Sequence, residues 1–209
     1  MFFSSKRDVL HKEGLDDLHN QYLVLRHGTS EANLKGIIVS CPENGLDKWG
    51  LSAAGRQEVS ASVEKAVMEG VLDRQSSLRS SDFLRARESS QIAMQKMHIC
   101  QMKIDAALRE RNFGDFELQS NTHYQEVWAE DLRNPKHTKW GVESATAVVE
   151  RLVMLRRLEK SHQDKKILLV SHGDTLQLLQ CVFEGQSIKH HRDLPHLEVG
   201  EVRLLKRSI

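Results

Sequence analysis

The chain has 209 residues, enough for one α/β domain with a sizeable hydrophobic core. Its net charge of +1 gives no general attraction to nucleic acid or to anionic membranes, and its longest aliphatic run, residues 167–170, is far too short to cross a bilayer. The three cysteines, Cys41, Cys100 and Cys181, are widely spaced and odd in number, which predicts reduced packing residues instead of a disulfide frame or a zinc site.

The N-terminal segment, residues 1–20, is mixed polar with little periodicity, and we predict that it forms an arm or a short leading helix before a single domain at residues 21–209. Its first ten residues contain no apolar stretch long enough for a secretory signal. We therefore expect a cytoplasmic protein. Targeting to an organelle stays open, because the arm precedes the domain.

The first predicted element is a buried strand at residues 22–25, which ends in the sequence Arg26-His27-Gly28. A cation and an imidazole at the end of a buried strand are costly unless an anion lies there. Gly28 allows a sharp turn, and Ser30 can cap a helix that follows. A strand end, a glycine turn and a helix start together favour a phosphate site. The alternative is an ordinary strand end whose arginine points to water.

The next elements are a loop over residues 34–50 and a helix that begins near residue 51. Valines at positions 59, 63, 67 and 71 recur every four residues, which predicts one apolar face toward the core, and Gly70 is expected to mark the end of this helix.

A short polar strand is predicted at residues 77–81, followed by a helix with Asp82 as its cap. Arg85 then falls in the first turn of that helix, close to the end of the strand before it. Arg85 and Arg87 could equally be solvated charges, which is the usual state of arginines on helices.

Residues 108–117 have neither helical nor strand periodicity, so we predict a structured loop that carries Glu110 and Glu117. The alternative is that both carboxylates are surface charges. Residues 118–143 are predicted to be an irregular insertion with one short helix at about residues 124–132.

The last third of the chain is predicted to begin with one long helix from about residue 143, whose arginines face water. The strand at residues 167–170 then ends in Ser171-His172-Gly173, which repeats the strand–histidine–glycine–helix pattern of the first strand. The backbone N–H of Gly173 and the helix start offer an anion further donors. Residues 198–205 are predicted to form an edge strand.

These pieces belong together because parallel α/β sheets bind ligands at the carboxyl ends of their strands. Arg26, His27 and His172 follow such ends, Arg85 lies just past another, and the loop with Glu110 could fold over them. Two arginines can grip a phosphoryl group, a histidine can accept it, and a carboxylate can carry a proton to the leaving group. The set suits phosphoryl transfer through a phosphohistidine.

The sequence resembles the histidine phosphatase superfamily, also called the phosphoglycerate mutase-like family, from about residue 22 to about residue 205. The resemblance is carried by RHGTSEAN at residues 26–33, LSAAGRQEV at 51–59, SDFLRARESS at 81–90, LRERNFGDFE at 108–117 and VSHGDTL at 170–176. Five matches in the family's order carry more weight than an RHG triplet alone.

The resemblance implies a three-layer α/β/α sandwich with a mostly parallel sheet. It also implies that His27 becomes phosphorylated, and that Glu110 protonates the leaving oxygen and then activates water. The groups that would hold the phosphoryl oxygens are Arg26, Asn33, Arg85, His172 and Gly173. One departure is Leu118, where the family often has glycine, so we expect this loop to lie differently over the pocket.

The expected function is that of a metal-independent phosphatase acting on a small phosphate ester. The segment between Glu110 and His172 is short. The resemblance implies that a mutase would carry a longer insertion at this place, so we favour a phosphatase. A phosphoglycerate mutase, a sugar bisphosphatase and a catalytically silent phosphate-binding protein are the alternatives.

No metal or other cofactor is expected. His190, His191 and His196 have no paired carboxylate or HExxH spacing beside them, and we place them in a loop or at the pocket rim. The expected partner is a small phosphorylated metabolite, with no nucleic acid and no membrane, and a homodimer stays open. Specificity is expected to lie in residues 34–50, 118–143 and 185–198.

Overall fold

The computed structural model describes residues 18–152, 154–161 and 165–206. Within these residues the central element is a five-stranded sheet in the order β3-β2-β4-β1-β5. The strands are β1 (Gln21–Arg26), β2 (Ser77–Ser80), β3 (Lys103–Ile104), β4 (Lys166–Ser171) and β5 (Val202–Leu204). The first four are parallel, and β5 pairs antiparallel with β1 at the edge of the sheet. The predicted mostly parallel sheet and its C-terminal edge strand are confirmed, whereas the two-residue strand β3 was not predicted.

Helices cover both faces of this sheet. They are α1 (Glu31–Lys35), α2 (Pro42–Gly45), α3 (Ala53–Met68), α4 (Leu84–Met97), α5 (Tyr124–Arg133), α6 (Ala145–Arg151), α7 (Met154–Ser161) and α8 (Gly173–Phe183). No helix in these ranges is long and apolar enough to cross a membrane.

Alternating strand residues build a separate hydrophobic core on each face of the sheet. Tyr22 and Val24 of β1 pack with α6, α7 and α8 on one side. Leu23 and Leu25, the residues between and after them, pack with α3 and α4 on the other side. Both faces of β1 and β4 are therefore buried, as expected for parallel strands, and the predicted α/β/α sandwich is confirmed.

Two glycines bring the turn after β1 against the start of α3. A Cβ atom on Gly28 would lie 2.2 Å from the carbonyl oxygen of Gly55, and a Cβ on Gly55 would lie 2.1 Å from the carbonyl oxygen of Thr29. Ser52 caps α3 by accepting the Gly55 N–H at 3.0 Å. The RHG sequence and the LSAAGR sequence, well separated in the chain, therefore form one close backbone contact that fixes the turn beside His27.

The predicted cap of α4 is wrong. The N-cap residue is Phe83, and it makes no side-chain capping bond. Asp82 instead accepts two hydrogen bonds from Arg109, from Nε at 2.9 Å and from Nη2 at 2.6 Å. A bidentate ion pair satisfies the carboxylate better than a single capping bond, and it ties the start of α4 to the loop that carries Glu110.

The predicted long helix from residue 143 is also wrong, because the segment divides into α6 and α7 with a break after Arg151. Ser144 caps α6 by accepting the Ala147 N–H at 3.1 Å. Arg151 does not face water as predicted: its Nε donates to Glu143 at 2.8 Å, and its Nη1 donates to the carbonyl oxygen of Ala107. These bonds hold the loop before Glu110 against the helix.

Most of the predicted N-terminal arm, residues 1–17, lies outside the described residues. Leu18 is buried in the core on the α8 side of the sheet, and the Asn20 side chain donates to Glu159 at 2.8 Å. The packed part of the chain therefore includes residues before the predicted boundary at residue 21.

The insertion over residues 118–143 contains α5, which confirms the predicted short helix. Ile38, Phe113, Phe116, Val127 and Val142 form a small separate core beneath it. Leu118 enters this insertion with φ +62°, a left-handed conformation that glycine adopts without strain.

Candidate active site

A cavity of about 220 Å³ opens where β1 and β4 end. Six of the seven predicted site residues line it: Arg26, His27, Asn33, Arg85, Glu110 and Gly173. The seventh, His172, is fully buried and lies behind His27, with the two ring centroids 5.1 Å apart. The fold therefore brings together residues that are up to 147 positions apart in the chain, Gly173 minus Arg26.

His27 is held as a neutral imidazole of one tautomer. Its Nδ1 lies 2.8 Å from the carbonyl oxygen of Gly28, which can only accept, so Nδ1 carries the proton. Its Nε2 accepts the Nε–H of Arg85 at 3.1 Å, so Nε2 carries the lone pair. Burial, followed by the charges of Arg85 and Arg26, holds the pKa of His27 well below its usual value. This is the state that a nucleophilic imidazole requires.

The two predicted arginines present unused donors. Arg85 donates from Nη2 to the carbonyl oxygen of Val39 at 2.8 Å, and Arg26 donates from Nη1 to the carbonyl oxygen of Leu197 at 2.7 Å. Nη1 of Arg85 and Nε of Arg26 are buried and have no hydrogen-bond partner among the described residues. Because such buried donors are costly, the pair is suited to an anion. The possibility that Arg85 is a solvated helix charge is wrong, since its side chain is buried.

Gly173 leaves room for the guanidinium of Arg26. A Cβ on Gly173 would lie 3.3 Å from Cζ of Arg26. Gly173 is also the first residue of α8, so the helix start faces the cavity that both residues line.

His196 also contacts the guanidinium of Arg26 and helps to orient it. Its Nε2 accepts from Arg26 Nη1 at 2.9 Å, and its Nδ1 donates to Oε1 of Gln177 at 3.2 Å. Burial and the charges of Arg26 and Arg192 lower the pKa of His196 to about 4. His196 is therefore a neutral acceptor at the cavity wall, which confirms its expected place at the pocket.

His172 is packed between aromatic rings. Its ring lies edge-on to His27 and to Phe83, with a centroid distance of 5.2 Å to Phe83. Its Nε2 lies 2.8 Å from Oγ of Ser81, and its Nδ1 has no hydrogen-bond partner in the described part of the chain. Burial, then the charges of Arg85 and His27, hold the pKa of His172 well below its usual value. The ring is thus neutral and fixed beside the proposed nucleophile.

Glu110 is buried, with 8% of its surface exposed, so the alternative of a surface charge is wrong. Its Oε1 accepts the backbone N–H of Arg111 at 2.9 Å and that of Thr175 at 3.3 Å. Burial, followed by the charge of Asp174, raises the pKa of Glu110, while Arg85 opposes the shift. A buried carboxyl whose pKa is raised stays protonated at a higher pH than usual, so it can act as a general acid.

Glu117, the other carboxylate of this loop, has a different place. It accepts from Ser40 Oγ at 2.6 Å and from Asn44 Nδ2 at 3.0 Å. It is not part of the cavity wall, and it holds the segment around α2 against the loop.

Asn33 lines the cavity with part of its amide already used. Its Oδ1 accepts from the backbone N–H of Ser30 at 3.0 Å and from Oγ of Ser30 at 2.9 Å. Ser30 in turn caps α1, as predicted, by accepting the Asn33 N–H at 3.2 Å. Only the amide nitrogen of Asn33 remains to assist a bound anion.

The rest of the wall consists of residues that the sequence did not single out as site residues: Ser30, Ala32, Ile37, Val39, Asn121, Tyr124, Trp128, Asp174 and Arg192. Six of them lie in residues 34–50, 118–143 and 185–198, the segments in which specificity is expected. Residues 121, 124 and 128 have the spacing of one helical face. This spacing was the sequence feature that could have indicated that the three side chains lie on one surface.

The other two C-terminal histidines lie away from the cavity wall. His191 lies in the short 3₁₀ segment Ile188–Asp193 that follows α8, and it is fully buried, with Nε2 3.6 Å from Asp174, so it is not at the pocket rim. His190 is exposed and lies 2.8 Å from Asp193. Across the described ranges, no group of three or more histidine, cysteine, aspartate or glutamate side chains could hold a metal ion.

Two known proteins are similar in sequence to most of this chain. A 2,3-bisphosphoglycerate-dependent phosphoglycerate mutase from Parvibaculum lavamentivorans is 25% identical over 173 residues, which cover 77% of this chain and 78% of the mutase. Phosphoglycerate mutase-like protein 4 from Arabidopsis thaliana is 29% identical over 171 residues, 76% of this chain and 69% of that protein.

Solved structures share the fold. A mycobacterial glucosyl-3-phosphoglycerate phosphatase superposes with a TM-score of 0.72, covering 90% of this chain and 99% of its own, at 20% identity. At that identity the likeness concerns the fold alone. The sequence profile of the histidine phosphatase superfamily (branch 1) matches residues 22–208, nearly the whole chain. The chain is therefore a member of the histidine phosphatase superfamily.

Proposed function

We propose that this protein is a metal-independent phosphatase that hydrolyses a small phosphate ester through a phosphohistidine at His27. The observation that carries the proposal is the state of His27: a buried, neutral imidazole whose Nε2 lone pair faces Arg85 in a cavity shared with Arg26 and Glu110. A volume of about 220 Å³ suits a small phosphorylated metabolite. Free cysteines at positions 41, 100 and 181 support a cytoplasmic location.

In the first step, the phosphoryl oxygens bind the free donors of Arg26 and Arg85, and the Arg85 contact with Nε2 is exchanged for one with the substrate. His27 Nε2 then attacks phosphorus, and the bond between phosphorus and the ester oxygen breaks. Glu110 gives its proton to the departing oxygen. The imidazolium charge that forms on His27 is stabilised by the Gly28 carbonyl oxygen at Nδ1.

In the second step, Glu110, now a carboxylate, takes a proton from water as that water attacks the phosphoryl group. The new P–O bond forms, the P–N bond breaks, and inorganic phosphate leaves. Glu110 and His27 are then both in their starting states. In His172, whose ring centroid lies 5.1 Å from that of His27, Nδ1 has no hydrogen-bond partner among the described residues, and we assign this nitrogen as the donor to a phosphoryl oxygen.

A mutase is the alternative function, and the relative from Parvibaculum lavamentivorans, itself named a mutase, favours it. The short segment between Glu110 and His172 favours hydrolysis, because a mutase must shield its phosphohistidine from water while the substrate reorients. The mycobacterial phosphatase of the same fold is consistent with hydrolysis on this scaffold.

The test is a panel of phosphate esters assayed with EDTA present, together with 2- and 3-phosphoglycerate interconversion. We expect release of inorganic phosphate at a rate that chelation does not change. Efficient interconversion with little free phosphate would favour the mutase. Loss of activity that zinc or magnesium restores would contradict a metal-independent mechanism.

A further inference from the structure

Arg192 is a third guanidinium in the cavity of Arg26 and Arg85. It comes from the 3₁₀ segment Ile188–Asp193, which follows α8, and it lines the same cavity. Arg26 and Arg85 together match the two charges of a phosphoryl dianion. The function proposed above assigns no role to Arg192, and Asp174, the carboxylate beside it in this cavity, already pairs with the buried Arg111.

Arg192 is fixed in place by an aromatic stack. Its Cζ lies 3.7 Å from the centroid of the Trp128 ring. Tyr124 stacks on Trp128 as well, with centroids 5.4 Å apart and ring planes 13° from parallel. A guanidinium over an indole face is held by a cation–π interaction. The side chain therefore loses little further freedom when a ligand binds.

The neighbouring carboxylate does not use the donors of Arg192. Nη1 of Arg192 lies 3.9 Å from Oδ1 of Asp174, beyond hydrogen-bond distance. Asp174 already accepts from Trp128 Nε1 at 2.8 Å and from the buried Arg111 Nη1 at 3.2 Å. Nη1 of Arg192 is buried and has no hydrogen-bond partner within the ranges that the structure describes. Asp174 thus keeps Arg192 in position by charge while leaving its N–H groups free.

We propose that Arg192 is a specificity-determining residue, which binds a second anionic group of the substrate, a carboxylate or a second phosphate, beside the phosphoryl group at His27. This inference rests on the proposed function. The substrate class it names is a phosphate ester whose alcohol part carries its own negative charge. Tyr124 and Asn121, on the same wall, add uncharged donors for that group.

The test compares matched esters that differ in this second charge. The carboxylate pair is 3-phosphoglycerate and glycerol phosphate, and the bisphosphate pair is fructose 1,6-bisphosphate and fructose 6-phosphate. We expect the wild-type protein to prefer the more anionic member of at least one pair in kcat/KM. In Arg192→Gln that preference should fall on the order of 10- to 100-fold, mainly through KM, because a charge-assisted hydrogen bond made equally in ground and transition states is lost.

Two controls separate this role from folding and from general electrostatics. Lys189→Gln removes one exposed charge from the same segment and should leave the preference unchanged. Arg192→Lys keeps the charge but loses the planar stack on Trp128, and it should restore only part of the preference. The thermal midpoint of each variant shows that the protein compared is folded.

The two proposals fail differently. Hydrolysis with no preference in either pair, or a preference that survives in Arg192→Gln, would overturn the role of Arg192 and leave the phosphatase standing. A folded wild-type protein that releases phosphate from no ester would overturn both.

Discussion

Arg85 donates its Nε–H to the Nε2 atom of His27 at 3.1 Å, while the Nδ1–H of the same ring is held by the Gly28 carbonyl oxygen. The guanidinium can only donate a hydrogen bond and the carbonyl oxygen can only accept one, so together they fix the tautomer of His27. The arginine that binds the phosphoryl group in our proposal thus also determines which ring nitrogen of His27 carries the lone pair. Arg85 lies in the first turn of α4, so this turn positions the guanidinium for both roles.

The first prediction concerns Glu110 as the general acid. Glu110→Gln should lower the first-turnover rate about 10²–10⁴-fold on an alkyl phosphate, whose alkoxide needs a proton as it leaves. The loss should be much smaller on p-nitrophenyl phosphate, because that leaving group is a weak base. Burst kinetics isolate the first step from hydrolysis of the phosphohistidine. An equal loss on both esters would show that Glu110 holds the loop and is not the acid.

The second prediction is a pH profile. The phosphorylation step needs neutral His27 and protonated Glu110. The pKa of His27 is lowered by burial and the arginines, and that of Glu110 is raised by burial and Asp174. kcat/KM should therefore fall as pH drops through the lowered pKa of His27, and fall again as pH rises through the raised pKa of Glu110. Glu110→Gln should lose the second decline for the same substrate. A variant that keeps both limbs would contradict the assignment.

The third prediction concerns protein stability at low pH. The His196 pKa is about 4 in the folded protein and about 6.5 in an unfolded chain. The unfolded chain therefore binds more protons between these values, so the free energy of unfolding should decrease as pH falls from about 6.5 toward 4. His27 and His172 act in the same direction. His196→Asn should show a shallower decrease in urea titrations, and an unchanged slope would mean that His196 is not buried as a neutral ring.

The fourth prediction tests the contact between Gly28 and Gly55. Gly28→Ala should force the turn away from α3, since its Cβ would meet the Gly55 carbonyl at 2.2 Å. We expect a loss of about 1–3 kcal/mol in stability and a loss of activity per folded molecule, because His27 moves with the turn. Gly70→Ala is the control: Gly70 has φ +68° but open space around it, so it should cost stability without changing the activity of folded protein.

A fifth prediction uses Leu118, whose φ of +62° is strained for leucine. Leu118→Gly should raise the free energy of unfolding by about 0.5–1 kcal/mol, since relief of left-handed strain exceeds the added entropy of the unfolded chain. Leu132 is also exposed but lies within α5, and Leu132→Gly should lower stability by about 1 kcal/mol. Equal destabilisation by both changes would show that Leu118 is not strained.

The sequence predicted the strands and the residues at their ends because that information is local. The apolar run before Arg26 and the run before His172 each mark a buried strand, and parallel strands place their carboxyl ends together. The valines at 59 and 63, both fully buried, likewise followed from helical periodicity alone.

Residues whose state depends on distant partners could not be predicted in the same way. Asp82 has the side chain of a helix cap, yet the approach of Arg109 gives it a bidentate partner. Arg151 lies on a helix, where an arginine is usually solvated, yet its guanidinium donates hydrogen bonds to Glu143 and to the carbonyl oxygen of Ala107. Arg192 is held in the site by Trp128, 64 positions earlier in the chain (192 minus 128), and by the charge of Asp174. Nothing in the spacing of these residues encodes such contacts.

The central claim is that His27 becomes covalently phosphorylated. The most direct measurement incubates the protein briefly with an ester labelled in its phosphoryl group, quenches in alkali and maps the label by mass spectrometry. We expect the label on Nε2 of His27, stable to base and lost in acid, and absent from His27→Ala. Label that persists in His27→Ala, or label on any other residue of the wild-type protein, would contradict the mechanism.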